Sequence, residues 1–530
     1  MTALALALVL AVSLTACGTK VATQEESAET YDGATAILLS DDSITVNGQP
    51  ASTDETAAVY TANDIVFYLE GQGIAYGEGT EANEHSQAEA NAHTVVHITQ
   101  PGTYVLSGTL SAGQVAVDLG EDAEEDPDAV VTLVLNGADI TCTVAPAVIF
   151  YNVYECGSTD TESATKDVDT SAAGANVVIA DGTVNNIAGS YVARIYKPDS
   201  VELSEDGTEV VDSKKLHKYD GAFYSKMSMN VNGEAQGTGV LNIDAENEGL
   251  DSELHLTING GNINITSGND GINTNEDGVS VTTVNGGTLT IDVDGATGEG
   301  DGIDSNGWLV INGGTVIAAA CANSQDAGID SDNGIYINGG TVVASGNMLD
   351  RIDGGDQPYA VFGVRQRQQS GTTVTLKAED RTVAGEWTPA NDFTYLVVSG
   401  PDLTEGTYTL WNGDTQLAGT AGMTGGHGMG GFRPDGEDPP QGFDMPESME
   451  PPKGDPGRQP GKDWPEPNED GTITLPDGTV IDPSELKRPE DGERPMRPGE
   501  GPGDMENVEV STAFILTAEG GTFDNISAAE

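Results

Sequence analysis

Four short runs place a carboxylate or an amide at the same point of a recurring pattern. They are Gly249-Leu250-Asp251-Ser252, Gly271-Ile272-Asn273-Thr274, Gly302-Ile303-Asp304-Ser305 and Gly328-Ile329-Asp330-Ser331. The spacings are 22, 31 and 26 residues. Just ahead of the glycines stand Glu248, Asp270 and Asp301, with Ala327 in the fourth copy and Asp326 beside it. Stacked copies would lie roughly 4.8 Å apart. Like charges at that distance, partly desolvated at a turn, repel unless some are protonated or a cation sits between them. Ca2+ takes about six to eight oxygens at roughly 2.3–2.6 Å, drawn from carboxylates and carbonyls. Glu248, Asp251, Asp270, Asn273, Asp301, Asp304, Asp326 and Asp330 are therefore expected to bind Ca2+. The alternative is a solvated acidic edge. The spacing does not match an EF-hand loop, and no C-x-x-C pair points to zinc.

The elements that must position these groups are written in a second motif. Ile258-Asn259-Gly260-Gly261 recurs as Val284-Asn285-Gly286-Gly287, Ile311-Asn312-Gly313-Gly314 and Ile337-Asn338-Gly339-Gly340, at spacings of 26, 27 and 26 residues. An alternating strand follows each copy, as in Asn262-Ile263-Asn264-Ile265 and Thr288-Leu289-Thr290-Ile291. Alternation turns one set of side chains inward and the other outward. A period near 26 fits one coil of a stacked solenoid. The expected fold is all-β, a parallel β-helix with capping strands at both ends. Stacking predicts apolar ladders through Leu250, Ile272, Ile303 and Ile329, and through Ile258, Val284, Ile311 and Ile337. It also predicts an asparagine ladder through Asn259, Asn285, Asn312 and Asn338. A hairpin-based sandwich or propeller would explain single Asn-Gly turns but not two motifs held in phase.

Trp308 and Tyr336 fall at odd offsets before the inward Ile311 and Ile337, so both should point outward, where aromatic faces can stack on sugar rings. A loop covering them is the competing expectation. Catalysis finds less support. No Lys or Arg occurs between Lys226 and Arg351, and His255 is the one His there. Carboxylates that recur once per coil look like scaffold or metal ligands rather than one acid–base pair. Arg194, Lys197, Lys214, Lys215 and Lys218 read as an ordinary surface patch. So do His85, His93 and His97.

The 530 residues carry 86 acidic and 21 basic side chains, a formal charge of −65. Such a surface repels nucleic acid and anionic membrane. Residues 1–16 read as a signal peptide ending at Leu14-Thr15-Ala16-Cys17, a lipoprotein-like site, although the usual positive start is missing. Lipidation at Cys17 would hold the chain at the extracellular face of the bacterial membrane through a lipid anchor alone. An acidic tether (17–30) would follow, then an N-terminal β cap (31–100), the β-helix (101–360) and a C-terminal β cap (361–420). Residues 421–507, rich in Gly, Pro and acid, read as a disordered insertion, and 508–530 as a terminal strand. Cys142 and Cys156 could pair outside the cell or remain thiols.

Thr103-Tyr104-Val105-Leu106-Ser107-Gly108-Thr109-Leu110, Leu133-Val134-Leu135-Asn136-Gly137-Ala138-Asp139-Ile140 and Asp220-Gly221-Ala222-Phe223-Tyr224-Ser225-Lys226 precede the Gly-Ile-Asp-Ser repeats. In that order they resemble a clostridial family of carbohydrate-binding cell-surface lipoproteins, from about residue 35 to 420. The resemblance implies a right-handed parallel β-helix similar in fold to polysaccharide lyases. It also implies bound Ca2+ and non-catalytic binding of cellulose or polygalacturonate. Departures lie in an insertion at 154–174, in the long segment 421–507 and in the longer first repeat. A surface structural or adhesive protein is the second reading. A pectate-lyase-like or glycosidase enzyme is the third.

Overall fold

The computed structural model describes residues 31–417 apart from 379 and 405, together with 473–474, 480–481 and 514–516. The expected signal peptide, Cys17 and the acidic tether lie outside the described residues, as does nearly all of 421–507. The chain divides into two units, one of Met1–Met423 with Val510–Glu530 and one of Thr424–Glu509. In the second, Ile473–Thr474 pairs antiparallel with Val480–Ile481.

The Asn-Gly-Gly runs act as corners. Their second glycines, Gly261, Gly287, Gly314 and Gly340, take φ of +92°, +83°, +78° and +86°. That is left-handed backbone, which a side chain disfavours. Each corner joins two short strands, and each strand pairs in parallel with its equivalent one repeat away. The first column runs through Met229–Gly233, Leu256–Ile258, Val281–Val284, Trp308–Ile311 and Gly334–Ile337. The second runs through Val240–Ala245, Asn262–Ser267, Thr288–Val293, Thr315–Ala319 and Thr341–Gly346. A third column runs through Val148–Phe150, Gly221–Ser225, Glu248–Ser252, Ile272–Thr274 and Ile303–Ser305. The described residues are all-β. Their α-helical content is the single turn Gln87–Ala90.

The ladders form in register. Leu250 pairs with Ile272 and Ile272 with Ile303, while Ile258 pairs with Val284 and Val284 with Ile311. These residues belong to one buried core shared by the three columns. Burying each such side chain contributes about 1.5–3 kcal/mol. The asparagine side chains bond head to tail at 2.8–2.9 Å from Asn338 through Asn312 and Asn285 to Asn259, and on to Asn232 at 3.0 Å.

Both ends are finished by other strands. Thr35–Leu39 is already a parallel neighbour of Gly102–Leu110, and Val59–Ala62 pairs antiparallel with Thr94–Ile98. At the far end Phe393–Ser399 pairs antiparallel with both Thr341–Gly346 and Tyr359–Gln368. A separate core beneath includes Phe362, Leu376, Phe393 and Leu410. Phe514–Leu516 pairs with Gly406–Asn412, so the terminal segment returns to this region. Cys142, Cys156 and Cys321 are all free thiols. His93 is buried, not a surface residue. Its ring nitrogens face the Glu89 carbonyl at 2.8 Å and the Thr143 hydroxyl at 3.2 Å.

Candidate functional site

The third column carries the carboxylates because its strands follow Asp-Gly or Glu-Gly pairs, whose glycines let neighbouring backbones close together. The Gly249 amide bonds Asp270 O at 3.0 Å, and the Gly271 amide bonds Asp301 O at 3.0 Å. Asp251 pairs in register with Asn273, and Asn273 with Asp304. The Asp330 amide reaches Ile303 O at 2.7 Å.

Two groups of three carboxylates result. Asp220, Glu248 and Asp251 each offer an oxygen within 4.8 Å of the others, and so do Asp301, Asp304 and Asp330. That is about twice a Ca–O distance, the widest spread that one ion can bridge. Asn273 joins the first group by donating from Nδ2 to Glu248 Oε1 at 3.2 Å. Glu248 Oε2, Asp251 Oδ2 and Asn273 Oδ1 are buried with no hydrogen-bond partner. An orphaned buried oxygen costs about 1–3 kcal/mol, and more when charged, so the donor set fits a hard divalent cation. Asp270 and Asp326 stay outside both groups. Asp270 Oδ1 accepts the Asp301 amide at 2.7 Å, and Asp326 Oδ2 accepts the Gly300 amide at 2.6 Å and the Ser324 hydroxyl.

Burial first, then the neighbouring charges, drives these carboxyls upward. Asp301 is pushed to about 9 with help from Asp330 and Asp270, and Asp330 to about 7 with help from Asp350 and Asp304. Asp270 reaches about 7 beside Asp304, and Asp304 about 6 beside Asp332. In the first group Glu248 and Asp251 lie well above the ordinary range for the same reasons. Lys218 is a surface residue, as the sequence suggests, but its side chain, 41% exposed, also reaches the first group. Its Nζ lies 2.5 Å from Asp220 Oδ2. Burial works against the ammonium, but Asp220, Glu248 and Asp251 outweigh it and raise its pKa. Lys215 pairs with Glu253 at 2.9 Å, and Glu253 accepts the Tyr224 hydroxyl at 2.7 Å. Asp220 was missed as well, although it precedes Gly221 just as Asp270 precedes Gly271 and Asp301 precedes Gly302.

Trp308 and Tyr336 lie on the outward face of the first column and are half-buried. The insertion at 154–174 runs over that face. Glu155 accepts the Ser228 amide and hydroxyl, each at 2.7 Å. The Ser158 carbonyl meets His255 Nε2 at 3.2 Å, while His255 Nδ1 accepts the Val281 amide at 3.1 Å. These two bonds fix the proton on Nε2. The Thr170 hydroxyl donates to Asn230 Oδ1 at 2.8 Å and lies 2.7 Å from the Thr257 hydroxyl, from which it can accept. Lys166 Nζ stands 5.2 Å from the centroid of Tyr336. Val281 and Val310, although outward, are only 1% and 5% exposed.

Residues 92–388, more than half of the chain, match the family described as carbohydrate-binding domain-containing protein. A protein of that same description from Acetivibrio thermocellus is 26% identical over 171 residues, which cover 32% of this chain. The chain spans 44% of the length of that curated relative. A solved structure, named as a polysaccharide lyase-like protein from C. thermocellum in a gadolinium derivative, covers 58% of this chain and 92% of its own. Its identity is 19% and its TM-score 0.30, too low to carry a fold argument. The matched residues contain both carboxylate groups and the outward aromatic face, and the chain belongs to the carbohydrate-binding domain-containing protein family.

Proposed function

We propose that this protein is a non-catalytic, calcium-stabilised binder of plant cell-wall polysaccharide, cellulose or polygalacturonate, built on a right-handed parallel β-helix. It would be held at the outer face of the cell membrane by a lipid on Cys17. The observation that carries the reading is family membership over residues 92–388. The parallel columns, one repeat apart, support the β-helix. The orphaned oxygens of Glu248, Asp251 and Asn273 support calcium, which when bound would neutralise carboxylates that otherwise repel. Asp220, Glu248 and Asp251 would hold one ion, and Asp301, Asp304 and Asp330 another. The reading is non-catalytic because Lys218, the ammonium touching the first group, is ion-paired to Asp220 and makes a poor base.

Trp308 and Tyr336 are the proposed sugar-stacking surface, with the 154–174 insertion over it. Retention on cellulose and on pectate gel, with and without chelator, tests the function. Wild-type protein that passes through both gels in calcium sinks it. The Trp308→Ala variant should lose retention on whichever gel holds the wild type. The Lys166→Ala variant should gain about threefold in affinity, because a cation–π contact worth about 0.5–1 kcal/mol no longer competes for the Tyr336 face. Unchanged retention in both variants would move the sugar site elsewhere.

A further inference from the structure

The acidic column has an end. Beyond Gly221–Ser225 the next strand of the third column is Val148–Phe150, entirely apolar. Asp220 is therefore the last carboxylate of the series, with no acidic neighbour on the far side. Lys218 is the ammonium that meets Asp220. It comes from Lys215–Tyr219, a strand that pairs antiparallel with Val192–Tyr196 outside the three columns. The chain then turns directly into Gly221–Ser225.

We infer that Lys218 is a built-in counter-ion that closes the end of the carboxylate column and leaves the first group room for one divalent cation. The inference rests on the calcium reading above. Its ammonium meets Asp220 Oδ2 at 2.5 Å. The outer oxygens of Glu248 and Asp251 are already bonded, Glu248 Oε1 by Asn273 and Asp251 Oδ1 by Asn275 at 2.7 Å. What is left without a partner is Glu248 Oε2, Asp251 Oδ2 and Asn273 Oδ1. Their side chains belong to residues that are 5%, 0% and 7% exposed. Water does not reach them freely, and no ammonium is bonded to them. Glu248 and Asp251 converge with Asp220 within 4.8 Å, so their unpartnered oxygens add hard donors beyond the Asp220 oxygen that Lys218 occupies.

The charges then close. Three carboxylates, one ammonium and one divalent ion sum to zero. The second group has no such partner. Among the described residues no ion pair reaches Asp301, Asp304 or Asp330, and Arg351 pairs with Asp353 instead. The two groups have equal carboxylate charge but different built-in compensation. Only the first is part-neutralised before any metal arrives, so removing Lys218 should make it more dependent on metal and give it a stronger attraction for metal.

The test is the melting temperature of the full chain in EDTA and across a Ca2+ titration, for wild type, Lys218→Met, Lys218→Arg and Asp304→Asn. Lys218→Met should melt lower in EDTA, show a larger calcium-induced rise, and bind Ca2+ at the first group about tenfold tighter. A Lys218→Met protein that folds only in calcium supports the inference equally. Lys218→Arg should keep the wild-type gap between EDTA and calcium. Asp304→Asn should narrow it while leaving the effect of Lys218→Met intact. A wild-type calcium rise reproduced unchanged in Lys218→Met overturns the role of Lys218 and spares the calcium reading. A wild type with no calcium rise overturns both.

Discussion

In chelator, the melting temperature falls as pH is raised from about 4 to 9, and millimolar Ca2+ removes the fall. The sign follows from the buried carboxyls. Their ordinary pKa is 3.8, whereas Asp304, Asp330, Asp270 and Asp301 stand at about 6, 7, 7 and 9. In that window the native state holds more protons than the unfolded chain, so stability declines as pH rises. At about 1.4 kcal/mol per pKa unit and about 2–4 °C per kcal/mol, even partial coupling among the four predicts a fall of at least about 5 °C. Carboxylates held below their ordinary value, such as Asp181 by the Thr238 and Gln236 amides, act in the opposite direction only below about pH 4. A bound divalent ion favours the charged forms and flattens the profile. The −65 surface also repels itself more strongly as pH rises. About 0.5 M NaCl screens that repulsion but does little for buried groups. Calorimetric scans at several pH values, with EDTA, NaCl and CaCl2 in turn, check the prediction. A flat profile in EDTA contradicts the desolvated clusters, and a slope that calcium leaves in place contradicts calcium binding.

Gly271→Val should unfold the stack or cost at least about 3 kcal/mol, a loss at the top of the range for overpacking. A Cβ at Gly271 would lie inside the envelope of Ile291 Cγ2 and 2.6 Å from Gly302 O. Neither neighbour can retreat. Ile291 is a core residue paired in register with Ile265 and Ala318, and the Gly271 amide is tied to Asp301 O. Gly249 repeats the arrangement against Ile265 Cγ2 and Gly271 O. This column of glycines brings the carboxylate strands against the second column, so the same substitution should also weaken metal binding. Gly73→Ala is the control. Nothing lies within 4 Å of a Cβ there, and the change should stay within about 0.5 kcal/mol. Urea denaturation of the two variants beside wild type separates close approach from a general effect of losing glycine.

What could be read from the sequence was what recurs. Asn-Gly-Gly returns at nearly constant spacing, so the corners, the asparagine ladder and the inward Ile and Val residues follow from one period. Even there, Asn232 escaped notice as the fifth member of the ladder because Glu234 follows Gly233 where the other copies have a second glycine. Asp251, Asn273 and Asp304 were legible as a column for the same reason. Asp220 and Lys218 were not, because Lys218 belongs to a non-repeating excursion whose landing point no local pattern specifies. A loop over the face of Trp308 and Tyr336 was one of the two expectations, but which segment supplies it was not legible. It depends on pairs such as Ser158 with His255, 97 residues apart, and on a loop that enters before the regular repeats begin. His93 looked like a surface residue until the turn Gln87–Ala90 and Thr143 enclosed it.

The antiparallel strand Phe393–Ser399 lies against Thr341–Gly346, where the next parallel strand would otherwise pair. An in-register parallel column with a bare final strand is a template onto which a second molecule can add its own strands. Phe393–Ser399 covers that strand and is itself paired on its other side with Tyr359–Gln368, so Thr341–Gly346 offers no bare edge to a strand from a second molecule. The protein can thus lengthen over evolutionary time by duplicating an internal 26- or 27-residue unit between its two ends. Each duplication would add another level of asparagine and carboxylate and leave the stop in place.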